Sequence, residues 1–274
     1  LLGEEDAILT DGLNHASIID GIRLCKAKRY VLTHGDLAAS EKALVDSQAQ
    51  RRRLYMTDGV FSMEGEVGPI PELVDLCAKH DTLLVVDDSH ATGVLGATGR
   101  GSAEETGVHG KVAVFTSTLG KAMGSAAGGF TTGPAPLVEF LRQRSRTTLF
   151  SNALPPAVTA SSLEAFRMLM EDPTPVQRVR ANAAYFRTKM TDAGFNIPKG
   201  VHPIVPVIVG DTAKALAMSA ALFEKGVYVS GFGYPVVPQG HARLRCQISA
   251  VHSTADLDEA VDAFKGVGRE FGVI

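Results

Sequence analysis

The sequence predicts an α/β fold, with a mostly parallel sheet in a large first domain and a small α+β domain behind it. Three observations predict this. Short apolar runs alternate with amphipathic stretches through the first half of the chain. Several of those runs end in acids, hydroxyls or glycine, as strands do at the ligand-binding edge of a parallel sheet. A Pro173-Thr174-Pro175 break then interrupts a long helical region, and strands and helices resume beyond it. The chain has 274 residues, a length that suits about two domains. The break sets the expected boundary: residues 1–172 form the large domain and 173–274 the small C-terminal one.

In chain order, residues 7–10 read as a strand and 16–26 as a helix. A strand at 30–33 precedes a helix at 38–49, for which Asp36 supplies an N-cap. Residues 53–57 are a strand that runs into the Asp58-Gly59 turn. Pro71 to His80 is a helix with apolar residues at Leu73, Leu76 and Cys77. A strand at 82–86, a Gly-rich loop from Gly93 to Gly101 and a strand at 112–116 follow. Gly128 to Gly133 reads as a further strand. Helices are expected over 155–171 and 174–194. In the second domain strands are expected at 204–209, 227–229 and 242–248, with helices at 212–225 and 254–269. This βαβα order puts helices on both faces of the large sheet.

Composition removes several classes of function. Hydrophobic residues make up 45% of the chain, enough for a sizeable core, and the formal net charge is −3 with dispersed basic residues. Nucleic-acid binding needs clustered Lys and Arg. The densest run, Arg51-Arg52-Arg53, leads into a strand and reads as a solvated edge; Arg142, Arg144 and Arg146 are a weaker group. Cys25, Cys77 and Cys246 are far apart, odd in number and lack CxxC spacing, so they read as buried thiols of a reducing compartment. No metal site is expected. No apolar stretch approaches the ~20 residues that span a bilayer. The start, Leu1-Leu2-Gly3-Glu4-Glu5-Asp6, is neither signal nor transit peptide and reads as the interior of a longer chain. The expected location is the cytoplasm, or the mitochondrial matrix in a eukaryote.

Chemistry concentrates after two apolar strands. Val112 to Thr116 leads into Ser117-Thr118-Leu119-Gly120-Lys121-Ala122-Met123-Gly124, which presents one amine at the sheet edge. Leu83 to Val86 leads into Asp87-Asp88-Ser89-His90. An amine, an acid and an imidazole converging on one edge suit pyridoxal phosphate (PLP), whose aldehyde takes a lysine and whose ring nitrogen takes an acid. Small neighbours let a ligand approach Lys121, and partial desolvation would make it a nucleophile. Asp87 would keep the pyridine nitrogen protonated, and His90 would donate to the phenolic oxygen. His15, just after the first strand, could stack on the ring. Thr118 and Ser151 are hydroxyls for the phosphate. Arg243 and Arg245 share one face of a strand, and a guanidinium there suits bidentate carboxylate binding.

Each residue has an ordinary alternative. Lys121 could be a solvated loop lysine, His15 a helix-start histidine, His90 a capping or packing residue, and Arg245 an exposed strand arginine. An acid after an apolar strand also occurs in Mg²⁺-holding nucleotide hydrolases, but no GxxxxGK[ST] loop is present. A silent dimerisation fragment is the remaining non-enzymatic reading.

Four motifs occur in the order found in the α-oxoamine synthases: Asn14-His15-Ala16-Ser17, Thr57 to Gly65 (TDGVFSMEG), Asp87 to Gly93 (DDSHATG), and Thr118-Leu119-Gly120-Lys121-Ala122. The chain resembles that family, fold-type I PLP enzymes that condense an amino acid with an acyl-CoA, over essentially its whole length. Ile18 to Leu24, Leu149 to Pro156 and Gly233 to Pro238 resemble the branch that joins glycine to acetyl-CoA. The resemblance implies that Lys121 carries the cofactor, Asp87 pairs with the pyridinium, His90 donates to the phenolic oxygen and His15 stacks on the ring at the substrate side. It implies that Ser62 lies near the ring, Thr118 binds phosphate, and Arg245 binds the substrate carboxylate. It also implies a homodimer with active sites at the subunit interface, where Ser151 serves the partner's phosphate. Another synthase of the family, with a different amino acid or acyl chain, is the nearest rival. Family members have a substantial segment before the first strand seen here, so the N-terminal segment of the family is expected to be missing.

Overall fold

A computed structural model describes residues 1–274. By contacts the chain divides into two compact units, Leu1–Phe61 with Val67–Pro173, and Ser62–Glu66 with Thr174–Ile274.

The first unit opens with β1 (Ala7–Asp11), α1 (Ala16–Arg23), β2 (Lys28–Leu32), α2 (Leu37–Asp46) and β3 (Arg53–Asp58). A short ribbon of β4 (Val60–Phe61) and β5 (Glu66–Val67) leads to α3 (Ile70–Lys79), β6 (Leu83–Asp87) and α4 (Ser102–Glu105). Then come β7 (Val114–Thr118), β8 (Gly129–Thr132), α5 (Ala135–Arg144), α6 (Arg146–Phe150) and α7 (Pro156–Glu171). The six-stranded sheet has the order β2-β1-β3-β6-β7-β8. All its pairings are parallel except β7 with β8, which is antiparallel.

The strands are apolar on both faces because both faces are covered, as parallel sheets require. Leu9, Tyr55, Leu84 and Val86 enter one core with Leu44 of α2 and Ile70 and Leu73 of α3. Their neighbours Ile8, Leu54, Val85 and Val114 enter the opposite core with Ile18 and Ile22 of α1. The alternation follows from the two-residue period of a strand. Asp36 caps α2 by accepting from the Ala39 N–H at 2.8 Å, an arrangement that stabilises a helix by about 1 kcal/mol.

The second unit contains α8 (Thr174–Asp192), β9 (Ile204–Gly210), α9 (Thr212–Phe223), β10 (Ser230–Phe232), β11 (Ala242–Gln247) and α10 (Thr254–Glu270). Its antiparallel sheet has the order β10-β11-β9. Val205, Val207, Leu244 and Cys246 of the sheet pack with Phe186, Met218, Leu222 and Phe264 of the helices. Ser253 and Asp256 form a reciprocal capping box that starts α10.

Several expectations are corrected. Residues 62–66 group with the second unit because Arg243 Nη1 donates to Met63 O and Glu64 Oε1, both at 3.0 Å. The strand expected at 227–229 lies at 230–232, since the Val227 N–H donates to Leu222 O and closes α9 over Gly226. Helices α5 and α6 were not expected; neither has a fully buried residue, and only Leu137, Val138 and Leu141 of α5 are partly buried. Cys77 and Cys246 are buried but Cys25 is only partly so. Arg51 is not merely solvated: its Nε and Nη2 each lie 3.0 Å from the buried Asp6 carboxylate. No helix is long and apolar enough to cross a membrane.

Candidate active site

Strands β1, β3, β6 and β7 run in parallel, so their C-terminal ends share one edge. Register places Asp58 beside Asp87 and Asp87 beside Thr116. That edge collects the titratable groups that the separate strand ends carry.

The Asp87 carboxylate is held at both oxygens. The Ser89 N–H donates to Oδ1 and the Thr116 hydroxyl to Oδ2, each at 2.9 Å. Lys121 Nζ lies 3.4 Å from His90 Nδ1. The turn that carries Lys121 starts under Thr118, whose hydroxyl accepts from the Gly120 N–H at 3.2 Å and donates to Gly128 O at 3.2 Å. The Thr118 N–H donates to Ser89 Oγ at 3.1 Å and so ties the lysine turn to the aspartate turn. Lys121 is exposed, which corrects the expectation of partial desolvation. Its chain neighbours Gly120 and Ala122 are small.

His15 is exposed at the N-cap of α1, where its Nδ1 accepts from the Ser17 N–H at 3.3 Å. Its own N–H donates to Asp58 Oδ2 at 2.7 Å. Burial pushes the Asp58 carboxyl up to about 7; the His15 N–H and the Lys121 charge oppose the rise, and the Asp87 charge adds to it. Asp88 is also pushed up by burial, to about 6, although the Ser102 hydroxyl and N–H donate to it at 2.6 and 3.0 Å. Gly59 is required here, because a Cβ would stand 2.0 Å from Asp88 Oδ1.

Ser62 and Arg245 lie together in the second unit. Arg245 Nη1 donates to Ser62 O at 3.1 Å, and the guanidinium sits over the Phe232 ring at 5.4 Å. Burial holds the arginine below its usual value, so it is not an exposed strand residue. Ser151 follows α6 at an exposed position. The structure therefore brings Lys121, His90, Asp87, Thr118 and His15 to one edge, and pairs Ser62 with Arg245. Asp58 is, with Asp11 and Asp88, among the acids of this edge to which the sequence assigned no role in the cofactor site. Its signal was the one that marked Asp87, an acid closing an apolar strand.

An open α/β sheet with an amine, an imidazole and a fixed carboxylate at its carboxyl edge defines a class of cofactor enzyme. The chain belongs to the aminotransferase class I and II family, whose model matches residues 1–264. It is similar to the mitochondrial 2-amino-3-ketobutyrate coenzyme A ligase of Mus musculus, 52% identical over all of this chain and 66% of that protein. It is 46% identical to the 8-amino-7-oxononanoate synthase of Thermosipho melanesiensis, over 100% of this chain and 70% of the relative. Among solved structures, a serine palmitoyltransferase from S. paucimobilis with a bound PLP–myriocin aldimine superposes with a TM-score of 0.95. That pair is 31% identical over 100% of this chain and 69% of the other. The α-oxoamine synthase resemblance carried by the four motifs, and the α/β fold it implied, are borne out. The chain spans just under two thirds of the mouse protein's length.

Proposed function

We propose that the chain carries the PLP site of a glycine C-acetyltransferase, also called 2-amino-3-ketobutyrate coenzyme A ligase, joining glycine to acetyl-CoA and running in reverse in threonine breakdown. The observation that carries the reading is Lys121 Nζ at 3.4 Å from His90 Nδ1, on the edge where Asp87 is fixed at both oxygens. The donor set fits PLP: one accessible amine, one rigid carboxylate, one imidazole and hydroxyls in adjoining turns. The choice of glycine and acetyl-CoA is supported by the name of the mouse relative.

Bound PLP supplies an electron sink for a carbanion at the amino-acid α-carbon. Lys121 would hold the cofactor by its amine, and its Nζ would be the base that takes the α-proton. Asp87, held at both oxygens, would keep a proton on the ring nitrogen; an ion pair at an effective dielectric near 20 is worth about 4 kcal/mol at ~4 Å before desolvation. The rigidity of Asp87 matters, because a preorganised charge need not reorient during reaction. His90 would donate to the phenolic oxygen, and the His15 ring would stack on the cofactor. The hydroxyls of Thr118 and, from the partner subunit, Ser151 bind phosphate. By the family resemblance Ser62 would serve the ring, and the partly buried Arg245 guanidinium would bind the glycine carboxylate.

A second copy of the chain is the proposed partner. Helices α5 and α6 bury no residue and α7 buries only Ser162. Phe150, Met168 and Met170 are 76%, 62% and 82% exposed. Helices this short are held by tertiary packing, and an apolar surface of this kind marks an interface. Three free thiols suit a reducing compartment, the cytoplasm or the mitochondrial matrix.

The test is the visible spectrum of the pure protein with PLP, before and after glycine, and a panel of amino acids and acyl-CoA chain lengths read by thiol release. Absorbance that responds to glycine, and turnover with acetyl-CoA, are expected. Borohydride should fix the cofactor to Lys121; a label on another lysine would remove Lys121 from its role. Preference for alanine, serine or a long acyl chain would assign the chain to another synthase.

A further inference from the structure

We propose that Asp58 is the positioning residue of this edge: its carboxylate fixes the His15 backbone, and with it the imidazole, at the strand ends that also carry Asp87 and Lys121. The inference rests on the PLP reading above and deepens it by giving a role to a residue outside the set named there.

The geometry is a stitched turn. Asn14 Nδ2 donates to Met56 O at 2.8 Å, the Asp58 N–H donates to Asn14 Oδ1 at 2.8 Å, and the His15 N–H donates to Asp58 Oδ2 at 2.7 Å. Three bonds thus bind the turn after β1 to the end of β3. A fourth, from Asn14 Nδ2 to Thr10 Oγ1 at 2.8 Å, returns the turn to its own strand. His15 then starts α1 through its ring nitrogen. Its ring therefore hangs between a helix cap and a backbone whose N–H belongs to Asp58.

A neutral acceptor would serve that N–H without a buried charge. Asp58 is only 5% exposed, and burying a carboxylate is costly. The charged groups that face it are Asp11 from β1, Asp87 from β6, and Lys121 from the turn after β7, with His15 at the contact itself. Two of these repel the carboxylate and one attracts it. The charge thus joins the placing of His15 to the electrostatics of Lys121.

The experiment uses the full chain and the variants Asp58→Ala, Asp58→Asn, His15→Ala and the double alanine variant. The first readout is the dissociation constant for PLP. Asp58→Ala should weaken binding about 10-fold when His15 is present and much less when it is absent, the non-additivity of residues acting as a unit. Additive losses would overturn the proposal. The second readout needs no cofactor: the His15 backbone amide resonance followed from pH 5 to 9. It should show a step near the Asp58 midpoint of about 7 that is lost in Asp58→Asn. An amide indifferent to residue 58 would overturn the proposal even if PLP binds. Should PLP fail to bind the parent, the functional reading falls while this second readout still decides the Asp58 contact. Should Asp58→Ala fail to fold, Asp58→Asn, which keeps the acceptor, decides it by the amide step alone.

Discussion

At the scale of the residue, Asp58 and Asp87 end neighbouring strands in register with each other. Asp87 spends both oxygens on donors from its own turn and from β7. Replacing it by Asn keeps an acceptor but removes the charge, so PLP should still bind while turnover falls about 10²–10³-fold, the cost of losing one preorganised electrostatic group. Thiol release measures this, and near-parental turnover would place the ring nitrogen elsewhere. Burial raises Asp58 and Asp88 to about 7 and about 6, against an ordinary 3.8 in the unfolded chain. Between those limits the folded state binds more protons than the unfolded state. Stability therefore declines as pH rises from about 4 to about 7 and levels off above, by up to ~1.4 kcal/mol per pH unit for each group. Asp6 and Asp11 are held below their usual value, so their slope acts at lower pH. Asp58→Asn should flatten the decline. Urea denaturation at pH 4, 5, 6 and 7 reads the slope; equal slopes in parent and variant would show that Asp58 is not protonated in this range.

At the scale of the element, what the sequence made legible is what burial forces on it. β1, β3, β6 and β7 are covered on both faces and appear as apolar runs, and the acids and the lysine that end them announced most of the edge. α5 and α6 have no fully buried residue, and the short apolar set Leu137, Val138 and Leu141 of α5 is only partly buried, so their signal is weak; the two-residue strands β4 and β5 are too short for alternation to register. The reversal of β8 against β7 depends on pairing, which local pattern does not encode. The tie between Asp58 and His15 spans 43 residues and follows from register alone. Two glycines separate close approach from simple backbone freedom. Gly59→Ala would place a Cβ 2.0 Å from Asp88 Oδ1 and 2.7 Å from Ser102 Oγ, and overpacking of this kind costs about 1–3 kcal/mol or more. Gly21 lies in α1 with nothing within 4 Å of an added Cβ, so Gly21→Ala should stabilise by about 0.5–1 kcal/mol. Denaturation midpoints should move in opposite directions; a shift of the same sign would refute the packing at Asp88.

At the scale of the whole molecule, the proposed site draws on two chains, and that makes an arrangement of mutations informative. Lys121 serves its own subunit's site, whereas Ser151, on the exposed stretch after α6, is proposed to serve its partner's. Consider a dimer of one Lys121→Ala chain and one Ser151→Glu chain. The site with an intact Lys121 belongs to the second chain and borrows its serine from the first, where Ser151 is unchanged. That site should work, while the other carries both defects. Each variant alone should be weak, and glutamate at 151 should repel the phosphate. Random pairing of equal amounts makes half the dimers mixed, each with one of two sites restored, so co-refolded mixtures should regain about a quarter of parental activity for a two-fold dimer. Native mass spectrometry establishes that mixed dimers form, and thiol release with glycine and acetyl-CoA measures the recovery. Mixed dimers without recovery would return Ser151 to its own subunit or exclude it from the site, and would leave the apolar face of α5 to α7 as an interface that contributes no hydroxyl to catalysis.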